Sequence, residues 1–178
     1  LQSRQMVRSA YNPKQPHVVL DNMGNVVILA LDGSDVFYLT PKKTYHFKGI
    51  YSQHLLQLNS EPRYQFYAAG DGKLWISTYG NGLFSYDTQQ ERLSSYADLL
   101  PSPYAFTPFV DKSHNLWVAL ENMGVYVINF AQSEARYLYY NGDRAGINHE
   151  DDVRLLKRVG NKIYISNMQN GSKVADGL

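Results

Sequence analysis

The sequence predicts an all-β fold of about four repeated four-stranded sheets, and two observations support this prediction. The first is that two stretches are near-copies of one phrase, residues 71–83 and 111–125. Each copy reads as a turn, a short apolar strand, a loop containing Gly or Asn, and another strand, with Trp75 and Trp117 at the same point. Repeats of this kind indicate the architecture more directly than any single motif does.

The second observation is that two weaker copies flank this pair. Val27 and Tyr164 take the place of the tryptophan in these copies. The equivalent positions are therefore 27, 75, 117 and 164, separated by 48, 42 and 47 residues. Propeller blades of four strands repeat every roughly 40–50 residues. We therefore expect residues 1–178 to be a β-propeller fragment, part of a larger propeller. The predicted repeats are residues 12–58, 59–104, 105–148 and 149–178, the last incomplete.

Strands are predicted wherever short apolar runs rich in Val, Ile, Tyr and Phe lie between Gly, Asn, Asp or Pro. The runs around Trp75 and Trp117 are apolar on both faces, as a middle strand needs when its sheet packs between two others. Both tryptophans are therefore predicted to be core, and a sugar-binding platform is the alternative. Weak helical patterns occur in 89–100 and 131–139. The predicted strands are 17–20, 25–31, 35–39, 64–69, 74–78, 83–86, 106–110, 116–120, 125–130, 153–159 and 162–166.

Composition excludes several classes of site. The 178 residues carry a formal net charge of +1 and only isolated pairs of basic residues, so no nucleic-acid partner is predicted. There is no Cys, which rules out disulfides and thiolate metal sites. The longest apolar run, 26–31, is far shorter than the roughly 20 residues of a membrane-spanning helix. No metal or cofactor is predicted.

The turn before each second strand has a recognisable chemistry. In residues 21–25, Asp21 can accept a backbone N–H two residues further on, and Gly24 can supply a positive φ. His114 occupies the corresponding glycine position in the third copy, so the sequence predicts a less permissive turn there.

The phrase resembles the "two-component regulator propeller" repeat, which runs Asp-x-x-Gly-Asn-Leu-Trp-Ile-Gly-Thr-x-x-Gly-Gly-Leu. Ser77 and Asn81 stand where that repeat has glycines. The matching residues of the second copy are Leu74, Trp75, Ile76, Thr78, Gly80, Gly82 and Leu83. Those of the third are Asp111, Asn115, Leu116, Trp117, Val118 and Gly124, and those of the first are Asp21, Gly24 and Asn25. Gly160 and Asn161 form a shortened version.

The resemblance implies a function. Similar proteins are membrane sensors of Bacteroides-like bacteria, many of them hybrid two-component systems, whose periplasmic propellers precede a β-sandwich, a membrane helix and a cytoplasmic histidine kinase. Many respond to oligosaccharides. The resemblance therefore implies a periplasmic, ligand-sensing module, homodimeric in the intact sensor and attached to the membrane only through parts outside this chain. It implies no catalytic residues within this chain.

Candidate ligand-binding residues lie in two sets of loops on one face of the predicted propeller, those between second and third strands and those that cross between repeats. An aromatic ring beside amide and carboxylate groups suits a sugar, which offers an apolar face and hydroxyl groups. The alternative is that these are ordinary turn residues. The predicted ligand-binding residues are Tyr79, Asn81, Tyr104, Glu121, Asn122 and Gln169.

Two other functions stay open at this point. A propeller glycoside hydrolase or lyase would need two facing carboxylates about 5–10 Å apart, and Glu121 with Asp151 or Asp152 is the pair to test. A protein–protein interaction scaffold would instead show a large apolar patch on the loop face. Residues 149–152 resemble a metal or acid–base cluster, but neighbouring residues point to opposite sides, so a solvated loop is the predicted structure.

Overall fold

The computed structural model describes residues 17–29, 35–50, 64–132, 134–138, 153–159, 162–167 and 171–176. They form four antiparallel sheets in which strands that follow one another in sequence are hydrogen-bonded neighbours. Within these residues, three sheets have four strands and the last has three. We number them sheets 1 to 4 in chain order. The all-β fold of propeller blades that the sequence predicts is confirmed.

The strands are numbered in chain order. Sheet 1 contains β1 His17–Leu20, β2 Val26–Leu29, β3 Asp35–Leu39 and β4 Thr44–Lys48. Sheet 2 contains β5 Tyr64–Ala68, β6 Lys73–Thr78, β7 Gly82–Asp87 and β8 Arg92–Ser95. Sheet 3 contains β9 Ala105–Val110, β10 Asn115–Leu120, β11 Gly124–Asn129 and β12 Glu134–Leu138. Sheet 4 contains β13 Val153–Val159, β14 Lys162–Asn167 and β15 Gly171–Asp176.

The last strand of every sheet, β4, β8, β12 and β15, is missing from the sequence-based prediction. These strands lie at the sheet edge, and β4 and β8 have mostly exposed or half-buried side chains, so they carry no continuous apolar run. The weak helical pattern in 89–100 corresponds to strand β8 followed by a short 3-10 turn, Ala97–Leu99, and the one in 131–139 to strand β12. No helix in the described part of the chain is long and apolar enough to cross a membrane.

The core lies between successive sheets. Trp75 of sheet 2 is 3% exposed and packs with Leu116 and Val118 of sheet 3. Trp117 of sheet 3 is 2% exposed and packs with Ile163 of sheet 4. Both tryptophans therefore fill the space towards the next sheet, as the sequence predicts for core residues. The first strands also lie side by side, β5 against β9 and β9 against β13.

One aspartate organises the turn between the first two strands of sheet 3. One oxygen of Asp111 accepts the backbone N–H groups of Ser113 and Asn115, at 2.8 and 2.9 Å. The other accepts the Asn115 amide at 3.0 Å and the Trp117 indole N–H at 2.8 Å. Burial disfavours the charge on Asp111, but these hydrogen bonds outweigh it and lower the pKa of its carboxyl group.

Sheet 1 builds the same turn with a different donor. Asp21 accepts the backbone N–H groups of Met23 and Asn25 and the side-chain amide of Asn25. The hydroxyl of Tyr38 takes the role of the indole and donates to Asp21 at 2.7 Å. Burial, reinforced by this neighbouring carboxylate, raises the pKa of the Tyr38 phenol.

Sheet 2 departs from this pattern. The backbone N–H of Ala69 donates to the carbonyl of Lys73 at 2.9 Å. The equivalent hydrogen bond in sheet 3 runs from the backbone N–H of Asp111 to the carbonyl of Asn115 at 3.0 Å. Ala69 therefore stands where the other sheets have the aspartate. Asp71, with which the sequence phrase begins, lies two residues further on, is exposed, and accepts the Lys73 backbone N–H at 3.0 Å.

The predicted unfavourable turn residue is confirmed. His114 has a φ of +60°, close to the +83° of Gly24 and the +92° of Gly72 in the equivalent turns. A histidine therefore adopts a left-handed conformation that favours glycine.

Sheet 1 has one buried and one uncovered face. Val27 and Tyr38 pack towards sheet 2, whereas the opposite face exposes 63% of Val18, 55% of Leu20 and 39% of Phe37. These three side chains share that face because Val18 pairs with Ile28, which pairs in turn with Phe37. An apolar side of sheet 1 is thus accessible in this structure.

Candidate functional site

The loops after the second strands bring together residues from two sheets. Tyr79 follows β6 and Glu121 follows β10, so the two occupy equivalent positions in sheets 2 and 3. The hydroxyl of Tyr79 donates a hydrogen bond to Oε1 of Glu121 at 2.9 Å. A predicted aromatic residue and a predicted carboxylate are therefore directly connected across the junction between the two sheets.

Tyr104 completes this group from the segment that crosses between sheets 2 and 3. Tyr79 and Tyr104 form an antiparallel β-bridge, and their ring centroids are 4.7 Å apart with a tilt of 52°. The backbone N–H of Glu121 donates to the carbonyl of Tyr104 at 3.0 Å. We call Tyr79, Tyr104 and Glu121 the tyrosine–glutamate cluster.

Backbone hydrogen bonds fix the loop that carries Tyr79. The carbonyl of Pro103 accepts the N–H groups of Gly80 and Gly82, at 3.0 and 2.7 Å. The hydroxyl of Thr78 accepts the N–H of Asn81 at 3.1 Å and donates to the carbonyl of Gly82 at 2.9 Å. Because both ends of the loop are tied to sheet 2 and to the crossing segment, the cluster is preorganised.

The remaining predicted site residues have different positions. Asn81 is half-buried in the loop just described. Asn122 is exposed beside Glu121 and has a φ of +56°, where the equivalent Gly80 has +116°. A positive φ is what we expect of Asn122 if it is an ordinary turn residue and not a ligand-binding one. Gln169, Asp151 and Asp152 lie outside the described residues.

The cluster offers hydrogen bonding and stacking. A phenol hydroxyl and a half-buried carboxylate can exchange hydrogen bonds with ligand hydroxyls, and the two tyrosine rings supply apolar faces. No group of three His, Asp or Glu side chains able to hold a metal ion occurs among residues with described positions.

A central cavity of about 620 Å³ was not anticipated from the sequence. It is lined by the first strands of the sheets and the turns that follow them, including Gln65, Thr107 and Lys112. Thr107 has a φ of +35° and lies in a bulge of β9, where residues 107 and 108 oppose a single residue of β10. Pro108 within a predicted strand is the sequence signal that could have indicated this bulge.

The polar groups facing that cavity largely satisfy one another. The side-chain amide of Asn22 forms two hydrogen bonds with the backbone of Ala68 in sheet 2. Its NH2 group donates to the Ala68 carbonyl at 3.1 Å, and its oxygen accepts the Ala68 N–H at 2.6 Å. The amide oxygen of Gln65 accepts the N–H of Thr107 at 2.5 Å. These contacts tie neighbouring sheets together around the axis, which is a structural role.

Comparison with known proteins identifies the fold through structure. No family model matches the sequence, and no curated protein matches it. The chain is similar to the extracellular domain of the hybrid two-component system BT3049 of B. thetaiotaomicron, with a TM-score of 0.61 and 14% identity over 97% of this chain and 25% of that one. The extracellular domain of the one-component system BT4673 of the same bacterium matches with a TM-score of 0.51 and 17% identity, over 90% of this chain and 28% of that one.

Propellers with other functions match as well. YCF48 bound to D1 peptide has a TM-score of 0.59 and 12% identity, over 90% of this chain and 49% of that one. The virginiamycin B lyase of Staphylococcus aureus has a TM-score of 0.50 and 15% identity, over 94% of this chain and 58% of that one. This chain thus spans about a quarter of the two sensor domains and about half of the other two proteins. At these identities the similarity establishes the β-propeller fold alone.

Proposed function

We propose that this chain is a ligand-sensing module of an extracytoplasmic two-component sensor and that it binds an oligosaccharide at the tyrosine–glutamate cluster. The observation that carries the proposal is the 2.9 Å hydrogen bond between Tyr79 and Glu121, which joins equivalent loops of two sheets. A ligand at this junction contacts both sheets at once. The likeness to two sensor extracellular domains supports the proposal, as does the repeat phrase.

The proposed signalling step uses the position of the cluster at a junction. A sugar stacked on Tyr104 competes with Tyr79 for the Glu121 carboxylate, so binding favours one arrangement of the two sheets. In the intact sensor, which we propose to be a periplasmic homodimer, this changes the arrangement of the two subunits. The change cannot exceed the difference in ligand affinity between the two arrangements.

A glycan array that carries oligosaccharides of plant and animal polysaccharides tests the proposal. Tyr104→Ala and Glu121→Gln should each weaken the binding of a sugar found on the array by roughly tenfold, because each removes a stacking or hydrogen-bonding contact. Tyr164→Ala and Asp98→Asn remove a tyrosine ring and a carboxylate charge elsewhere and should leave affinity unchanged. Binding that survives both cluster variants would reject this site, and an array without any bound sugar would reject the ligand class.

A lyase or hydrolase is the second candidate, favoured by the similarity to the virginiamycin B lyase. Incubation with sugars from the array, followed by chromatography, distinguishes cleavage from binding. Products formed by the parent but not by Glu121→Gln would establish an enzyme.

A scaffold that binds protein is the third candidate, since YCF48 bound to D1 peptide shares the fold. It would require an apolar loop face of more than roughly 600 Å² in place of the polar cluster. Retention of a peptide by the parent and by both cluster variants would favour it.

A further inference from the structure

The four sheets repeat one kind of contact. Val27, Trp75, Trp117 and Tyr164 occupy equivalent positions in sheets 1 to 4, which we call the tryptophan position. In sheets 1 to 3 this residue packs against the next sheet, where it meets the residues immediately before and after that sheet's own tryptophan position, the flanking residues. All the side chains in these contacts are at most 3% exposed. The contacts are Val27 with Leu74 and Ile76, Trp75 with Leu116 and Val118, and Trp117 with Ile163 and Ile165.

Each of these contacts joins two different faces. We call the side of a sheet that carries the tryptophan position its back face, and the opposite side, which carries the flanking residues, its front face. Among the described residues, the back face of sheet 4 and the front face of sheet 1 are uncovered. Tyr164 of sheet 4 is 38% exposed. Val26 and Ile28, the flanking residues of sheet 1, are half-buried, whereas the flanking residues of the other three sheets are at most 1% exposed.

The front face of sheet 1 is apolar around its flanking residues. Val18 and Phe37 lie on either side of Ile28, and Leu20 lies beside Val26, because these residues are paired across β1, β2 and β3. A ring placed over the flanking residues would therefore meet apolar side chains from three strands. The front face of sheet 3 likewise presents apolar side chains from three strands to the ring that it receives from sheet 2.

The back face of sheet 4 also carries a hydrogen-bond donor at an equivalent place. In sheet 2, Tyr67 is paired with the tryptophan position, and its hydroxyl donates to the carbonyl of Val110 in sheet 3 at 3.3 Å. Lys157 is paired with the tryptophan position in sheet 4, and its long side chain ends in a donor. The carbonyl of Leu20 is the equivalent acceptor in sheet 1, because Leu20 and Val110 are each paired with the first flanking residue of their sheet.

The remaining side chains of this back face are compatible with packing. Val159 is exposed and is paired with Lys162. Lys162 lies two residues before the tryptophan position, which is the place of Lys73 in sheet 2, and Lys73 is half-buried at the rim of the junction between sheets 2 and 3. A lysine can cover apolar surface with its stem while its ammonium group stays in water. A lysine at this place is therefore already accommodated in one junction of the molecule.

We propose that the back face of sheet 4 packs on the front face of sheet 1 in a second copy of this chain. Tyr164 of one copy covers Val26 and Ile28 of the other, and Lys157 donates to the carbonyl of Leu20. The same contact in the opposite direction closes a ring of two copies and eight sheets, within the range of four to eight blades found in propellers. The contact continues the packing that already joins sheets 1 to 4. It goes beyond the proposed sugar binding and uses none of the residues of the tyrosine–glutamate cluster.

Sedimentation velocity of the full chain, at concentrations from about 1 to 200 µM, tests the association. A closed ring predicts a monomer and a dimer in equilibrium, with a Kd on the order of 10 µM. A parent that stays monomeric at about 200 µM would overturn the proposal. A ladder of larger oligomers would overturn the closed ring, because a head-to-tail contact that does not close continues without limit.

Two variants act on opposite faces. Ile28→Lys places a charge on the front face of sheet 1, and Tyr164→Glu places one on the back face of sheet 4. Each should be monomeric at every concentration, because both contacts of the ring use both faces. Leu99→Lys replaces an exposed leucine of the 3-10 turn, outside both faces, and should dimerise like the parent. If Ile28→Lys fails to fold, Val18→Lys replaces it, because Val18 lies on the same face and is more exposed.

An equimolar mixture of Ile28→Lys and Tyr164→Glu decides the orientation. A mixed pair keeps one intact contact, and its other contact brings the two introduced charges of opposite sign together. The mixture should therefore form dimers although neither variant does so alone, and a mixture that stays monomeric would refute the proposal. A symmetric contact between two front faces would leave Tyr164→Glu as dimeric as the parent, which would also refute it. Tyr104→Ala should dimerise like the parent, so a failure of sugar binding and a failure of this contact are distinguishable.

Discussion

Replacing Asp111 by Asn tests how much the carboxylate of the sheet 3 turn stabilises the fold. The substitution keeps the shape but turns Oδ2 into an NH2 group, which then faces two donors, the Asn115 amide at 3.0 Å and the Trp117 indole at 2.8 Å. Asn115 can rotate its amide and accept instead. The indole N–H has no such adjustment and is left unpaired.

The expected loss follows from these contacts. A hydrogen bond to a charged group contributes about 1.5–3 kcal/mol, so the indole bond alone accounts for that amount. The backbone bonds from Ser113 and Asn115 remain but change from a charged to a neutral acceptor, which adds about 0.5–1 kcal/mol. Asp111→Asn should therefore lower the free energy of unfolding by about 2–4 kcal/mol.

Urea denaturation followed by tryptophan fluorescence measures this difference, with Asp98→Asn as an exposed control that should change stability by less than about 0.5 kcal/mol. The pH dependence gives an independent check. Because the folded-state pKa of Asp111 is lowered, its contribution is present above the unfolded value of about 3.9 and is lost as pH falls through the folded value. The difference between parent and variant should thus shrink near pH 3. A variant within about 1 kcal/mol of the parent at pH 7 would refute the reasoning.

Two further predictions concern backbone conformation. His114→Gly should stabilise the protein by about 0.5–1 kcal/mol, since the left-handed φ of +60° costs a histidine more than glycine loses in chain entropy; an unchanged urea midpoint would contradict this. Gly24→Ala and Gly82→Ala form a matched pair with φ of +83° and +74°, but an added Cβ has open space at Gly24 and would lie 3.2 Å from Cα of Ala97 at Gly82. Thermal unfolding should show the larger loss of Tm for Gly82→Ala, and equal losses would show that conformation alone decides.

The repeated phrase predicts the inner part of each sheet and not its edge. The second strands β6 and β10 are buried almost throughout, so their apolar runs show in the sequence. The edge strands β4 and β8 contribute one buried side chain, Phe47, and pair through backbone hydrogen bonds with β3 and β7, and backbone pairing leaves no residue pattern. This is why the sequence identified the fold class but missed four strands.

The sequence predicts which loops carry the candidate site but not how their side chains contact one another. Tyr79, Tyr104 and Glu121 follow from the rule that two sets of propeller loops share one face. Their hydrogen bonds to one another depend on the register between sheets, which the sequence does not contain. Ala69 could not be identified from the sequence at all. Its equivalence to Asp21 and Asp111 appears only when the turn hydrogen bonds of the three sheets are compared.

The uncovered face of sheet 1 has a consequence for the solution behaviour of this chain. Each sheet packs its back onto the front of the next, so the contact is head-to-tail and its two sides differ. The free side of sheet 1 exposes Val18 and Leu20, and the same face of sheet 4 that carries Lys157 and Lys162 exposes Val159 and Tyr164. Charged side chains oppose edge-to-edge and face-to-face association, and apolar ones promote it. Both end sheets therefore offer apolar side chains for association between copies, and a lysine introduced at Val18 should reduce concentration-dependent clustering through the first sheet.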